Sequence, residues 1–389
     1  MRVTLSVGGK FQAFHLAQEL ERHGCLFRLL TTYFGHNAKN MAIDRARVLT
    51  NALPELLMRV PRRVPVLNRF WEGDMLKFES FDRWASQHID GSDLVAAWSG
   101  FALTTLQRAR AMGIKTVLER ASTHCVFQRE VLEEEYARQG ISGRVDRRLE
   151  ERGTEEYASA DSISVPSRFA METFLARGVS PEKIFVTPFG VNPAEFRRIP
   201  KEDRKFRVLF VGSGSLRKGL HYLLEAVHPL RLRDFEVWII AGITDEMKPF
   251  MARYRGAYRS LGTVPFCELY RYYSQGSVFV LPSIEEGMAQ VILQAMACGL
   301  PVICTPNTGG EDIIADGREG FIVPIRNPQA IREKILTLYD HEAVRKQMSE
   351  AAFQRVLSEF SWGRYGDQMV RAYKRILSAD GREGAFRNG

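Results

Sequence analysis

The chain has 389 residues, a formal net charge of +8 and a pI near 9.3. This length exceeds what a single hydrophobic core usually organises, so two domains are expected. With 45% hydrophobic and 26% charged residues, the composition is that of an ordinary globular protein. No apolar run approaches the roughly 18 residues that a membrane-spanning helix needs. The excess of cations favours anionic ligands, and neither a zinc finger nor an aromatic RNA-binding motif supports nucleic acid as the partner.

Cysteine usage and the N-terminus favour a cytoplasmic chain. The five cysteines include no CxxC pair, and their odd number and largely apolar neighbours are typical of a reducing compartment. The opening residues MRVTLSVGGK become polar too soon for a secretory signal. They are predicted to form a first strand and a turn.

The first half of the chain alternates predicted strands with predicted helices. Gly8 and Gly9 form a tight turn after the first strand, and Lys10 beside them either faces a cleft or is an ordinary surface lysine. Repeated units of this kind indicate a parallel sheet flanked by helices. Apolar runs predict strands at 3–7, 25–31, 94–98, 116–119 and 162–165, and helical spacing predicts helices at 13–24, 103–112 and 148–159.

A basic, amphipathic stretch interrupts this series between Met41 and Trp71. Six arginines there face two acids, with leucines and valines interleaved. Such a stretch either lies on an anionic membrane surface or forms an ordinary surface helix and loop. The arginines are Arg45, Arg47, Arg59, Arg62, Arg63 and Arg69.

A second series of the same kind starts after the turn-rich segment 188–192. Two tandem series, each opening with a strand, a glycine-containing loop and a helix, predict two Rossmann-like domains with a cleft between their strand ends. Strands are predicted at 208–211, 237–241, 278–281 and 302–305, and helices at 220–227, about 289–298, 329–357 and, last, up to about 377.

Residues 212–219, GSGSLRKG, form what we call the cationic loop, between a predicted strand and a predicted helix. Gly212 and Gly214 would let backbone N–H groups approach phosphate oxygens, and Arg217 and Lys218 would neutralise a diphosphate. A plain strand–helix turn with surface cations is the alternative, because short glycine motifs are weakly specific.

Residues 282–289, PSIEEGMA, form what we call the acidic loop. Glu286 precedes a helix start, where the N–H groups of Gly287, Met288 and Ala289 are free to meet a ligand. Gln294, eight positions after Glu286, lies near the same helix face. A solvent-facing carboxylate is the alternative for Glu286, and the neighbouring Glu285 is expected at the surface.

Both loops resemble those of the retaining glycosyltransferases of family 4, which have the GT-B fold. Two positions depart from the family: Gln294 stands where a second glutamate is usual, and Ser213 where an arginine is usual. The similarity runs from about Asp161 to Trp362 and weakens before that to shared architecture. It is carried by Glu286-Gly287, Lys218-Gly219, the connector Pro188-Phe189-Gly190-Val191-Asn192 with Phe196, and Phe360-Ser361-Trp362.

The resemblance implies a division of the chain into two facing domains. Residues 1–190 would form a Rossmann-like acceptor domain, and residues 191–363 a Rossmann-like domain for the nucleotide-sugar donor. The C-terminal helix, 364–378, would return to the N-terminal domain, and 379–389 would be a flexible tail. Together these features describe an α/β chain with the GT-B architecture.

The resemblance also implies roles for single residues. Glu286 would hydrogen-bond hydroxyls of the donor sugar, Gln294 would meet the nucleotide ribose, and Lys218 with Arg217 would hold the diphosphate. An amide at position 294 forgoes a charge-assisted hydrogen bond, so weaker donor binding is one expected consequence. His124, beyond the strand at 116–119, would contact the donor sugar or the acceptor, with a structural histidine as the alternative.

The function implied is retaining transfer of a sugar from a nucleotide-diphosphate donor to a glycan or lipid-linked acceptor. This transfer would serve surface polysaccharide or glycolipid biosynthesis. The protein would act in the cytoplasm or peripherally at the inner face of the membrane. No Asp-x-Asp triplet or other metal-ligand motif occurs, so neither a metal nor another cofactor is expected. The alternatives are a sugar-nucleotide epimerase of the same architecture, a NAD-type Rossmann protein and a non-catalytic sugar-nucleotide-binding protein.

Overall fold

The computed structural model describes residues 1–9, 12–32, 42–54, 73–141 and 147–383. Within these ranges the strands form two separate parallel sheets, one of seven strands and one of six. Helices connect successive strands in both sheets. The prediction of two Rossmann-like α/β domains is confirmed.

The first sheet has the strand order β3-β2-β1-β4-β5-β6-β7. Every residue of its two central strands, β1 and β4, is buried, because helices cover both faces of a parallel sheet. The strands are β1 Val3–Val7, β2 Leu26–Thr31, β3 Val48–Thr50, β4 Leu94–Trp98, β5 Lys115–Glu119, β6 Ser162–Val165 and β7 Ile184–Val186.

Six helices flank this sheet in the described residues. They are α1 Ala13–Arg22, α2 Gly73–Ser86, α3 Leu103–Ala111, α4 Cys125–Arg138, α5 Arg147–Ser159 and α6 Arg168–Leu175. The predicted helices at 13–24, 103–112 and 148–159 match α1, α3 and α5. The buried residues of helix α4 are few, namely Cys125, Val131 and Glu135. Its sequence therefore has no apolar stripe, and hydrophobic periodicity does not reveal the helix.

The second sheet has the strand order β10-β9-β8-β11-β12-β13. Strand β8 pairs with β9 along all of its residues up to Gly214, so Gly212 and Gly214 end the strand. The predicted loop at 212–217 therefore starts three residues too early. The strands are β8 Phe206–Gly214, β9 Phe235–Ile243, β10 Arg259–Ser260, β11 Val278–Leu281, β12 Val302–Cys304 and β13 Gly320–Ile322.

The helices of the second domain include one correction. The single helix predicted at 329–357 is two helices, because His341 has non-helical backbone angles, φ −117° and ψ 79°. The break lets the first half pack on α7 and the second on α10. The helices are α7 Leu220–Val227, α8 Lys248–Arg253, α9 Leu269–Ser274, α10 Gln290–Ala297, α11 Gly310–Ile313, α12 Pro328–Asp340 and α13 Glu342–Glu359.

The chain crosses between the domains twice, and the two crossings lie side by side. The Val191 N–H donates to the Phe360 carbonyl at 2.9 Å, and Val191 pairs with Ser361 as an isolated bridge. The last helix, α14 Trp362–Glu383, then packs along α1 of the first domain. The predicted return of the C-terminal helix is confirmed, and the helix extends beyond residue 378, into the segment predicted as a tail.

Two further predictions concern the surface. Of the basic stretch, residues 42–54 are described, with a 3₁₀ turn at Arg45–Arg47 followed by β3, while 55–72 lie outside the described residues. No helix in the described ranges has the length and apolar character that crossing a bilayer requires. All five cysteines are free, and Cys267 is exposed whereas the others are buried.

Candidate functional site

The cationic loop packs directly on the acidic loop. Gly219 has φ +67°, and a Cβ there would lie 1.9 Å from the carbonyl oxygen of Pro282. Only glycine allows this approach, because its backbone tolerates positive φ and it has no side chain to clash. The contact places Lys218 beside the segment that follows β11.

Ion pairs join the two loops. The Nζ of Lys218 contacts the Oε1 of Glu286. The Nε of Arg217 donates to the Oε2 of Glu285 at 2.7 Å, and its Nη2 lies 3.9 Å from the Oε2 of Glu286. Residues from the two predicted loops therefore form one charged cluster at the start of α10.

Glu285 is fully buried, so the expectation that it lies at the surface is wrong. Its carboxylate accepts from the hydroxyls of Ser122 at 2.7 Å and Thr123 at 2.6 Å, and from the Gln128 amide at 2.8 Å. Burial alone would raise the pKa of Glu285, but Arg217 and these hydroxyls outweigh it and hold the pKa at about 2. A buried carboxylate stays ionised only with such partners.

The residues before α10 also contact the N-terminal domain. A Cβ on Gly287 would lie 2.3 Å from the Ala121 carbonyl oxygen, and the Gly287 carbonyl accepts from the Ser167 hydroxyl at 2.5 Å. The Met288 sulfur accepts from a backbone N–H of the connector. The Ala289 N–H donates to the Thr308 carbonyl at 3.0 Å, so the prediction that it is free to meet a ligand is wrong.

Gln294 lies on α10 at the side of the interdomain connector. Its side-chain oxygen accepts from the Tyr273 hydroxyl at 3.2 Å. It lines a cavity of about 290 Å³ together with His15, Val191 and Trp362. The His15 ring stacks on Trp362 at 3.9 Å, and burial lowers its pKa to about 4, so it is neutral at neutral pH. Gln294 therefore faces a cavity with polar and aromatic walls, to which Glu195 adds a carboxylate.

His124 occupies a structural position. Its Nδ1 accepts from the Val126 N–H at 3.2 Å and so caps the start of α4. Its ring packs on Tyr157 and Phe174. Burial, followed by repulsion from Arg177 and Arg120, lowers its pKa to about 4. These contacts match the structural alternative, while the residues just before it, Ser122 and Thr123, reach the acidic loop instead.

Gln12, which follows the first strand–helix turn, and Glu119 line the same small cavity. Gly8 lies against the ring of Phe101, and Gly9 follows it, whereas Lys10 lies outside the described residues. Glu119, the last residue of β5, is buried and accepts from the Tyr373 hydroxyl at 3.3 Å. Burial raises its pKa to about 7.

A second buried carboxylate belongs to the N-terminal domain and contacts residues of the C-terminal domain. Glu135 of α4 contacts His221 Nε2 at 2.9 Å, the Tyr222 hydroxyl at 2.9 Å and Arg326 Nε at 2.7 Å, all in the C-terminal domain. We call these four residues the interdomain latch. Burial alone would raise the pKa of Glu135, but hydrogen bonds with His221 and Arg326 bring it to about 2. Periodicity does not reveal α4, and nothing in the sequence identified the latch.

Metal ligation was expected to be absent from the site. In the described ranges, no three His, Cys, Asp or Glu side chains are grouped so that they could hold a metal ion. Metal-independent chemistry stays a prediction.

Two families match the chain in tandem, in the order of its two domains. Residues 8–195 match "Glycosyltransferase Family 4", and residues 205–341 match "Glycosyl transferases group 1". The junction between the two matches falls in the segment that connects β7 to β8.

Individual proteins agree with these matches. An uncharacterized glycosyltransferase of Methanocaldococcus jannaschii is 27% identical over 247 residues, which are 58% of this chain and 63% of that protein. The amylovoran biosynthesis glycosyltransferase AmsK of Erwinia amylovora is 29% identical over 219 residues, 53% of this chain and 54% of that protein. The chain thus spans about half to two thirds of the length of these curated relatives.

A solved structure shows the same fold over almost the whole chain. HepE of Anabaena, solved in complex with UDP, superposes with a TM-score of 0.71 and 13% identity, covering 96% of this chain and 100% of that one. Identity this low shows the fold alone. The two family matches identify the chain as a Glycosyltransferase Family 4 domain followed by a Glycosyl transferases group 1 domain, and the two parallel sheets with this superposition show the GT-B fold.

Proposed function

We propose that the chain is a retaining glycosyltransferase that moves a sugar from a nucleotide-diphosphate donor to a glycan or lipid-linked acceptor. The observation that carries this proposal is the convergence of Lys218 and Arg217 on the acidic loop, at the N-terminus of α10. Cations and helix-start N–H groups are what a leaving diphosphate requires for charge stabilisation.

The proposed mechanism uses the charged cluster in two ways. Lys218 and the Nη groups of Arg217 bind the diphosphate, assisted by the N–H groups of Gly287 and Met288. When Lys218 turns to the phosphate, Glu286 is released from its ion pair and accepts hydrogen bonds from donor-sugar hydroxyls. Gln294 hydrogen-bonds the ribose from the cavity beside the connector.

Retention follows if the acceptor attacks the face that the diphosphate leaves. The bond between the anomeric carbon and the phosphate oxygen breaks while the acceptor oxygen bonds to the same carbon. The leaving phosphate takes the acceptor's proton. The protein's contribution is then electrostatic, through Lys218 and Arg217, with no protein nucleophile and no metal.

The relatives support this choice of substrates. AmsK is named as a glycosyltransferase of amylovoran biosynthesis, and HepE binds UDP. By analogy we assign the chain to surface polysaccharide or glycolipid biosynthesis, acting in the cytoplasm or at the inner face of the membrane. The base, the sugar and the acceptor are to be found by experiment.

A two-step experiment tests the proposal. Thermal shift with UDP-, GDP- and ADP-sugars, in the presence of EDTA, should identify the donor by a rise in melting temperature. Incubation of that donor with candidate acceptors should then release nucleoside diphosphate only when an acceptor is present, with the anomeric configuration retained in the product. Isomerised sugar nucleotide without acceptor would instead identify an epimerase. Stabilisation by none of the donors would contradict the proposal.

A further inference from the structure

Glu285 lies where the two domains and the cationic loop meet. Its side chain is fully buried between the acidic loop, to which it belongs, and the segment after β5. Oε1 accepts from the hydroxyls of Ser122 and Thr123, at 2.7 and 2.6 Å. Oε2 accepts from the Gln128 amide at 2.8 Å and from Arg217 Nε at 2.7 Å. One carboxylate therefore contacts both the N-terminal domain and the cationic loop.

These contacts set the direction of the Arg217 side chain. Its Nε donates both to the carboxylate and, at 3.1 Å, to the backbone carbonyl of Glu285. Both of these hydrogen bonds use Nε, and Nη2 lies 3.9 Å from the Oε2 of Glu286. Because the guanidinium is planar, fixing Nε fixes the plane in which the two Nη groups point. Within the described residues neither Nη group donates a hydrogen bond, so both remain available on the Glu286 side of the cluster.

The buried carboxylate depends on contact between the domains. Three of its donor side chains, Ser122, Thr123 and Gln128, belong to the N-terminal domain, whereas Arg217 belongs to the same domain as Glu285. Burial disfavours a carboxylate that lacks such donors. If the domains move apart, water replaces the three donors, and the exposed Glu285–Arg217 pair becomes as mobile as other surface ion pairs.

We propose that Glu285 is a positioning residue, which couples contact between the two domains to the orientation of Arg217 toward the donor diphosphate. The inference rests on the proposed function, since it assumes a diphosphate at this cluster. It adds that Arg217 binds phosphate well only when Ser122, Thr123 and Gln128 hold Glu285. Donor affinity and domain contact are then linked through one carboxylate.

A double-mutant cycle tests the coupling. Glu285→Gln keeps the side-chain size but weakens the charge-assisted bond to Arg217, so affinity should fall about 10-fold. Calorimetry would use whichever of UDP, GDP and ADP binds the parent protein most tightly. The affinity of Arg217→Ala should fall at least as far. Adding Glu285→Gln to Arg217→Ala should not change the affinity further, because Glu285 acts through Arg217 and that side chain is gone.

Two further variants guard against a general loss of structure. Glu319→Gln alters another fully buried glutamate of the same domain that pairs with an arginine, Arg355, and should bind like the parent. Ser122→Ala combined with Thr123→Val leaves Glu285 and Arg217 intact but removes two donors from the other domain. It should weaken binding in the parent background and have no effect in Arg217→Ala, even if Glu285→Gln fails to fold.

The outcomes separate this inference from the proposed function. If the parent protein binds none of the three nucleotides, the proposed function fails. If the parent binds and Glu285→Gln, or the Ser122/Thr123 double variant, binds equally well, the positioning role is refuted. The same holds if either change weakens binding as much in the Arg217→Ala background as in the parent, because its effect then does not pass through Arg217.

Discussion

Lys218 and Glu286 form an ion pair across the two loops, so the cation nearest the proposed phosphate site already has a carboxylate partner. A diphosphate must compete with that carboxylate for Lys218. The competition lowers the gain from binding phosphate alone. Once Lys218 binds phosphate, Glu286 can accept hydrogen bonds from the hydroxyls of the donor sugar. These bonds add to the affinity, so the intact donor should bind more tightly than the bare nucleotide.

Removal of either cation should weaken binding of the nucleoside diphosphate. Lys218→Ala and Arg217→Ala each remove a charge-assisted hydrogen bond, so affinity should fall about 10- to 100-fold while the fold is kept. Lys346→Ala serves as the control, because Lys346 is an exposed lysine on α13 paired with Glu342. Calorimetry measures all three, and unchanged affinity in both loop variants would refute the diphosphate site.

Glu286 and Gln294 should recognise different parts of the donor. Glu286→Ala should lower turnover strongly while bare nucleoside diphosphate still binds, because the sugar contact is lost and Lys218 is freed. Gln294→Ala should weaken bare nucleotide and intact donor alike. Gln294→Glu should bind at least as tightly as the parent, since the Tyr273 hydroxyl can still donate to it. If both alanine variants bind both ligands like the parent, the acidic loop is not the donor site.

Ionisation of Glu119 should destabilise the N-terminal domain as the pH rises. Its folded pKa of about 7 lies above its ordinary value of 4.5, so its protonated form is favoured by folding. Its contribution to stability is complete below about pH 4.5 and is lost as the pH rises through about 7, at a cost of about 3 kcal/mol.

Glu119→Gln cannot ionise, so it should not lose stability as the pH rises, and its amide oxygen can still accept the hydrogen bond from Tyr373. Its melting temperature should exceed the parent's near pH 8 and should approach the parent's near pH 5. Calorimetric scans at both pH values measure the difference. An offset that does not change with pH would mean that Glu119 titrates normally in the folded protein.

Glu135 should have the opposite pH dependence, through the interdomain latch. Its folded pKa, about 2, lies below the ordinary 4.5, so its contribution is present above about pH 4.5 and is lost as the pH falls toward 2. Glu135→Gln leaves Arg326 and His221 without a buried carboxylate, and such a loss costs about 3–5 kcal/mol.

The latch variant should therefore unfold at a lower temperature near neutral pH, and its deficit should shrink on acidification. Small-angle scattering should also show a larger radius of gyration, because the contact between α4 and α7 is weakened. Gln139→Ala is a milder control, since Gln139 donates to Glu135 but carries no charge. An unchanged radius and melting temperature would show that the latch does not hold the domains.

The basic stretch should bind anionic membranes in a salt-dependent way. Sedimentation with anionic vesicles should decrease as salt rises, and replacing Arg59, Arg62 and Arg63 by glutamine should reduce it further. Neutral vesicles are the control. Equal sedimentation with neutral and anionic vesicles would exclude an electrostatic membrane contact and leave the stretch as ordinary protein surface.

The sequence predicted the features that local pattern determines. Central strands are largely apolar because both sheet faces are covered, and the predicted bounds lie within three residues of the observed ones. Short motifs beside strand ends single out Lys218 and Glu286, which the structure brings into contact. The position of Gly219 against Pro282 then follows from the local approach of two loops.

What escaped prediction depends on contacts between distant parts of the chain. Glu285 looks like a surface residue until Ser122, 163 positions away, contacts it. Glu135 sits in a helix without an apolar stripe, and its partners lie in the other domain. For His124 the sequence left a site role and a structural role open, and only the packing of Tyr157 and Phe174 on its ring favours the structural one.

The paired crossings at Val191 and Ser361 act as a double tether, and this fixes how the domains can move. Two adjacent tethers permit bending about one axis that runs through them and resist twisting and sliding. Gly190 makes the pairing possible, because a Cβ there would lie 2.4 Å from the Trp362 nitrogen. The cavity of Gln294 borders this axis, and Glu285 and Gly287 contact the other domain. Bending about this axis would open and close the contacts that Glu285 and Gly287 make with the N-terminal domain.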